Sequence, residues 1–269
     1  MAKRENFEKI LRNIKSIKIQ GAVNVARAAL NAYKIIPTIS SKKKLLNVRP
    51  TEPMMNYVLN LAEKKKYDEI MNHFNLTQGK INESVYKLIK KREKILVHCH
   101  STNVINSLIY THKKGKIFEI YATETRPLFQ GRKTARELAN AKIKVTIFVE
   151  SFLDDALSGQ QGMKKVNKVF LGADALLKNG IINKIGSELI AKIAKGNKIP
   201  VYIIADSWKF SKNKVPLEQR DLNEVWDKAP KNVKLKNPAF EFVDKKYISG
   251  IITEFGLMRY DEFVKRMMK

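Results

Sequence analysis

The chain has 269 residues, 44% of them hydrophobic and 29% charged, with 52 Lys+Arg against 26 Asp+Glu and a formal charge of +26. This composition excludes a disordered chain and a collagen-like chain, and the single cysteine, Cys99, excludes an intrachain disulfide. No apolar run reaches the roughly 18–20 residues of a membrane span, and MAKRENFEKI lacks the apolar centre of a signal peptide, so the expected location is the cytoplasm.

In chain order, the first third reads as helical. Phe7, Ile10, Leu11 and Ile14 recur at spacings of three and four. Gly21 interrupts, and Ala22 to Tyr33 resumes as an Ala-rich helix. Ser40 to Asn47 reads as a polar loop. A further helix begins at or after Pro50 and contains Tyr57, Leu59 and Leu61, and Ile81 to Lys91 reads as another.

From residue 94 the pattern changes. Strands are predicted at 94–100 (KILVHCH), 116–124, 144–150, 168–174 (KVFLGAD), 199–206 and 248–253. Helical stretches separate them at 104–112, 134–140 and 185–194, with another after the third strand, and 262–268 closes the chain. Strands alternating with helices predict an α/β fold with a mostly parallel, doubly wound, Rossmann-like sheet. The expected division is an N-terminal helical domain, 1–93, and an α/β domain, 94–269.

Open parallel sheets bind ligands beyond the carboxyl ends of their strands. Those ends carry His98–Ser101, Thr123–Gln130, Gly172–Asp174, Asp206–Lys209 and Thr253–Gly256, all rich in polar residues. Cys99 reads either as a small buried side chain or as a thiol activated by neighbouring cations. On a continuous strand His98 and His100 would face one side and Cys99 the other. HCH is a poor zinc motif, because His73 and His112 are the remaining histidines and neither sits in a ligand pattern, so no metal is expected. Asp174 reads as a helix cap or as an acid whose burial lets it hold a proton near neutrality. Asn179-Gly180 reads as a turn. Asn183, Lys184 and Gly186 precede a helix start, which is either a plain turn or an anion site. Arg49, Arg126 and Lys209 are cations that could converge on the same cleft and would suit a substrate with two phosphates.

The blocks ATETRPLFQGRKTARELA, VFLGADALLKNGIINKIGSELIAKIAK and DSWKF resemble the family of the initiation factor 2B alpha, beta and delta subunits and the sugar-phosphate isomerases. HCHS, TETRP, GAD, NKIG and the KF of DSWKF resemble most its archaeal ribose-1,5-bisphosphate isomerase branch. The resemblance spans IQGAVNVARAA (19–29) to ITEFG (252–256). It implies conversion of ribose 1,5-bisphosphate to ribulose 1,5-bisphosphate, in nucleotide salvage, without metal or organic cofactor. Asp174 would assist ring opening by proton donation, and Cys99 would take the proton next to the aldehyde. By the same resemblance Gln20, Gly21, Ala22, Arg49, Ser101, Thr102, Asn103, Arg126, Asn183, Lys184 and Lys209 would hold the substrate. Gln20 stands where the family has an arginine, and Thr102 where it has a lysine. The implied assembly is a homo-oligomer, a dimer or hexamer. Competing readings are a non-catalytic subunit that binds a sugar phosphate or nucleotide, and an isomerase of methylthioribose 1-phosphate. Nucleic-acid binding through the basic surface is the weaker alternative, since the lysines are spread along the chain.

Overall fold

The computed structural model describes residues 2–19 and 21–269; Gln20, an expected substrate contact, lies outside the described residues. The chain opens with α1 (Ala2–Lys15), α2 (Ala22–Ile35), α3 (Ile39–Val48), α4 (Pro53–Glu63) and α5 (Tyr67–Leu88). Ala26, Ala29 and Ala32 of α2 are fully buried, in one cluster with Val58 and Leu59 of α4 and Phe7 and Ile14 of α1. Small side chains on α2 let these helices approach closely. Pro53 begins α4, where its missing N–H costs nothing.

Two expectations are corrected here. Residues 40–47 form most of α3 rather than a loop. The Thr38 hydroxyl accepts from the Ser41 amide at 3.1 Å, and Leu45 is fully buried. A cap and one deep anchor outweigh the polar composition that suggested a loop. Helix α5 starts at Tyr67, well before Ile81. Its stripe of Ile70, Phe74, Thr77, Ile81 and Val85 is buried at helical spacing, although Asn, Thr and Gly79 weaken the local preference. This helix also spans both parts of the molecule. Ile70 and Phe74 pack among the N-terminal helices, whereas Ile81 and Val85 pack on the sheet.

The main sheet contains β1 (Lys94–Val97), β2 (Glu119–Thr123), β3 (Lys144–Phe148), β4 (Lys168–Leu171), β7 (Val201–Ile204), β9 (Gly250–Thr253) and β10 (Gly256–Met258). Its order is β10-β9-β7-β4-β1-β2-β3, parallel except for the antiparallel pair β9–β10. Helices α6 (Thr102–Lys113), α7 (Gln130–Asn140), α8 (Leu153–Ser158), α9 (Ser187–Gly196) and α10 (Tyr260–Met268) cover it. Successive strand residues face opposite ways. Ile95, Val97 and Phe170 pack with Leu108 of α6 and Leu138 of α7. Leu96, Val169 and Leu171 pack with Leu157 of α8, Ile190 of α9 and Phe263 of α10. The sheet is therefore covered on both faces, as the near-continuous apolar strands require.

A second, antiparallel sheet was not expected. It comprises β5 (Ala175–Leu177), β6 (Gly180–Lys184) and β8 (Phe240–Asp244), in the order β5-β6-β8. Leu177 pairs with Gly180, so the hairpin turns at Lys178-Asn179, one residue earlier than the sequence suggested. A Cβ on Gly180 would lie 2.1 Å from the Val243 carbonyl oxygen, so only glycine lets β6 meet β8 there. No helix among the described residues is long and apolar enough to cross a membrane.

Candidate active site

The chain runs from β1 outward through β2 to β3, then returns to place β4 on the other side of β1. The boundary between β1 and β4 is the switch point at which a doubly wound sheet opens a crevice. Cys99 follows β1 and Asp174 follows β4, so both proton-carrying candidates lie at this point. The crevice is partly open to solvent, with a cavity volume of about 80 Å³. Gly21, Ala22, Arg49, Cys99, Ser101, Thr102, Asn103, Asp174, Asn183, Lys184 and Lys209 all line it. Arg126 does not: it is exposed, its guanidinium 4.8 Å from the Phe129 ring centroid. Its neighbour Thr125 takes the site-forming role in that motif.

Strand β1 ends at Val97, so strict alternation does not govern residues 98–100. Cys99 instead adopts a left-handed backbone, φ 64°. Its amide donates to Thr125 Oγ1 at 3.0 Å, and its carbonyl accepts from Thr134 Oγ1 at 2.7 Å. His98 is buried and bridges to Thr123 Oγ1 at 2.6 Å and to the Ile185 carbonyl at 2.9 Å. A carbonyl only accepts, so Nε2 carries the proton, and in the neutral ring Nδ1 accepts from Thr123. Burial pushes His98 down to about 4, which keeps the ring neutral. This histidine is a strut joining β1 to the loop before α9. His100 is likewise pushed down to about 4, by burial and by Lys133. Close approaches hold the crevice wall: a Cβ on Gly172 would lie 2.6 Å from Ser101 Oγ.

Electrostatics couple the two reactive groups. Burial first, then the Asp174 carboxylate, pushes the Cys99 thiol up to about 12. Burial raises Asp174 as well, opposed by Lys209 and Arg49. Lys209 Nζ donates to the Ala173 carbonyl at 2.7 Å, which fixes a cation beside Asp174. Burial lowers Lys184, with Cys99 and Asp174 pulling the other way. Asn183 donates to Ser187 Oγ at 2.9 Å, and Ser187 donates to the Lys184 carbonyl at 2.6 Å. The NKIGS segment is thus a rigid turn that presents Lys184 to the thiol.

Sequence reasoning missed Glu52 and Arg220, which also line the crevice, and reached Gln130 only as the end of the Thr123–Gln130 stretch. Glu52 follows the Arg49-Pro50-Thr51 segment, but only packing shows that its side chain is buried. Arg220 sits in the long segment between β7 and β8, where no sequence signal marks it. Arg49 binds Glu52 Oε1 through Nη2 at 2.9 Å and Glu218 Oε1 through Nε at 3.0 Å. Arg220 holds the other Glu218 oxygen at 3.2 Å. The Thr51 hydroxyl donates to the Pro216 carbonyl at 2.7 Å, so this segment closes over the helical part.

Two other strand ends serve packing. Asp206 accepts from His73 Nε2 at 2.8 Å and from the Trp208 amide at 2.9 Å. Glu254 accepts from the Ser207 amide at 3.1 Å. His73, Asp206 and Glu254 bring ligand-type atoms within 4.8 Å of one another, a group the sequence reading did not anticipate. Their existing hydrogen bonds, and the stacking of His73 on Trp208 at 3.5 Å, account for it as a brace between α5 and the sheet.

Residues 10–260 match the model of the Initiation factor 2 subunit family. The chain is 34% identical to the ribose 1,5-bisphosphate isomerase of Archaeoglobus fulgidus, over 90% of this chain and 86% of that protein. It is 30% identical to the methylthioribose-1-phosphate isomerase of Carboxydothermus hydrogenoformans, over 98% and 91%. Among solved structures, the Pyrococcus horikoshii translation initiation factor eIF-2B superposes with a TM-score of 0.81 at 24% identity, covering 95% of this chain and 97% of that one. That likeness establishes the shared fold. The chain belongs to the Initiation factor 2 subunit family, as an enzyme of its isomerase branch.

Proposed function

We propose that the chain isomerises ribose 1,5-bisphosphate to ribulose 1,5-bisphosphate, with Cys99 and Asp174 as the proton carriers. The observation that carries this reading is one thiol and one carboxyl meeting at the switch point of the sheet, with Lys184 and Lys209 beside them. Burial and the Asp174 carboxylate raise the proton affinity of the thiol, and burial raises that of Asp174, so the crevice disfavours two negative charges at once. The reaction requires the substrate-bound form to carry its negative charge on sulfur, with Lys184 as the nearby cation, and the proton on Asp174.

Asp174 gives its proton to the ring oxygen as the bond from that oxygen to C1 breaks. The Cys99 thiolate removes the proton from C2, and the released electron pair forms the C1–C2 double bond of an enol. The thiol then returns its proton to C1, while the C2 hydroxyl gives its proton to the Asp174 carboxylate. C2 becomes the ketone, and both residues regain their starting states. Lys184, Lys209 and the amides at the start of α6 suit the phosphate groups and the developing negative charge.

The relatives at 34% and 30% identity differ in substrate, and the cations in the crevice favour the bisphosphate. We also read the chain as a homo-oligomer. The edge strand β3 exposes Ile147 and continues into exposed Val149, and a related structure is a tetrameric complex. Phosphorus NMR of the protein with ribose 1,5-bisphosphate, with and without AMP, tests the assignment. The expected result is ribulose 1,5-bisphosphate from the wild type and none from Cys99→Ser or Asp174→Asn. Turnover of methylthioribose 1-phosphate instead would move the chain to the other isomerase activity. No turnover of either would favour a binding role.

A further inference from the structure

Four buried side-chain polar atoms among the described residues lack a hydrogen-bond partner, and three belong to residues lining the crevice: Arg49 Nη1, Glu52 Oε2 and Gln130 Oε1. Buried polar groups are normally paired, so orphans gathered at one cavity mark the groups that a ligand completes. Two of them belong to one ion pair. Arg49 Nη2 and Glu52 Oε1 are bonded to each other at 2.9 Å, which leaves Nη1 as a spare donor and Oε2 as a spare acceptor. Both side chains are nearly inaccessible, 6% and 2% exposed.

Charge narrows what fits. The Arg49 guanidinium lies between the Glu52 and Glu218 carboxylates, so its charge is compensated twice. A dianionic phosphate placed there would accept from Nη1 but meet two carboxylates. A thioether would satisfy neither spare atom. A hydroxyl satisfies both, since it accepts from Nη1 and donates to Oε2. Burial and the nearby Asp174 push Glu52 up to about 7. A hydroxyl also suits the protonated carboxyl, because it can accept as readily as donate.

We propose that Glu52 is a specificity-determining residue whose spare carboxyl oxygen hydrogen bonds a sugar hydroxyl held from the other side by Arg49. The proposal rests on the sugar-phosphate reading above and deepens it: Lys184 and Lys209 take phosphate, whereas Arg49 and Glu52 read the carbon skeleton.

Calorimetric titration of the wild type, Glu52→Gln and Glu52→Ala with ribose 5-phosphate and with inorganic phosphate tests it. The readout is the ratio of the two dissociation constants, which a purely structural role would leave unchanged. The wild type is expected to prefer the sugar phosphate. The preference should fall about ten- to hundredfold in Glu52→Ala, the effect of losing a hydrogen bond to a charged group. Glu52→Gln keeps the shape and the bond to Arg49, so a smaller loss of the same sign there shows that packing is not the cause. Inorganic phosphate should bind the variants as well as, or better than, the wild type. An unchanged ratio in both variants, or a wild type that binds the two ligands equally, overturns the proposal. Turnover of ribose 1,5-bisphosphate by the wild type is scored separately, so failure of the substrate assignment is distinguishable from failure of the hydroxyl contact.

Discussion

The amide of Cys99 donates to the Thr125 hydroxyl at 3.0 Å, a bond that ties the thiol's left-handed backbone to the turn after β2. Thr125 is itself fully buried and left-handed, φ 61°. Two unusual backbone conformations thus support each other at the centre of the crevice. Thr125→Val keeps the shape and removes the acceptor. We expect a loss of about 1–3 kcal/mol in denaturant unfolding, the cost of leaving a buried amide unpaired. Isomerase activity should fall by more than the folded fraction does, because the thiol's position depends on that bond. Activity that merely tracks the folded fraction would show that Thr125 serves stability alone.

Cys99 offers a direct reading of its own charge, since it is the one cysteine. Without ligand, burial and Asp174 hold the thiol up at about 12, so alkylation by iodoacetamide at pH 7 should be slow. Asp174→Asn removes the repelling carboxylate and leaves Lys184 in place. The alkylation rate at pH 7 should rise in that variant, and its pH profile should move to lower pH. Identical profiles for the two proteins would show that Asp174 does not act on the thiol.

Stability should depend on pH through two buried groups with opposite signs. His98 has its proton affinity lowered to about 4, so the unfolded chain binds more protons than the native one between about 4 and 6.5. Its contribution is present above pH 6.5 and is lost as pH falls toward 4. Glu52 has its affinity raised to about 7, so the native state binds more protons between about 4.5 and 7. Its contribution is present below about pH 4.5 and is lost as pH rises through 7. Glu52→Gln should therefore gain stability relative to the wild type as pH rises across that window, by up to about 3 kcal/mol. Urea unfolding of both proteins at pH 4.5, 6 and 8 measures the difference. A constant difference across the series would contradict the assignment to Glu52.

Gly172 lies against Ser101 so closely that an added Cβ would sit 2.6 Å from the hydroxyl and 2.7 Å from the Ser101 Cβ. Gly172→Ala must push apart the ends of β1 and β4, which carry the thiol and the carboxyl. A stability loss of about 1–3 kcal/mol is expected from the overpacking. The larger effect should be on kcat, through the changed distance between Cys99 and Asp174. Gly79→Ala, on an exposed stretch of α5 with no atom near the added Cβ, is the control. It should be neutral or slightly stabilising, as alanine favours the helix.

Much of this arrangement is legible in the residues themselves. Short apolar runs such as ILV and VFL carry the signature of strands buried on both faces, and their alternation with helices implies a mostly parallel sheet. The rule that such sheets bind ligands at strand ends then points to the stretches that hold Cys99, Asp174 and Lys209, and the turn before a helix start points to Lys184. The hairpin 175–184 escaped that reading, because its short apolar stretches become strands only by pairing with Phe240–Asp244, far along the chain. Helix α3 escaped it because its cap and the burial of Leu45 outweigh a lysine-rich composition. Glu52 and Arg220 are ordinary charged residues in sequence. Glu52 pairs with Arg49 three residues before it, whereas Glu218, held by Arg220, reaches Arg49 only because the segment between β7 and β8 folds back over the helical part. Local patterning by itself determined the parallel sheet and which strand ends carry reactive groups, since hydrophobic period and residue chemistry act within a few positions. The tertiary structure alone decided which charges face each other, because burial and pairing depend on residues distant in the chain.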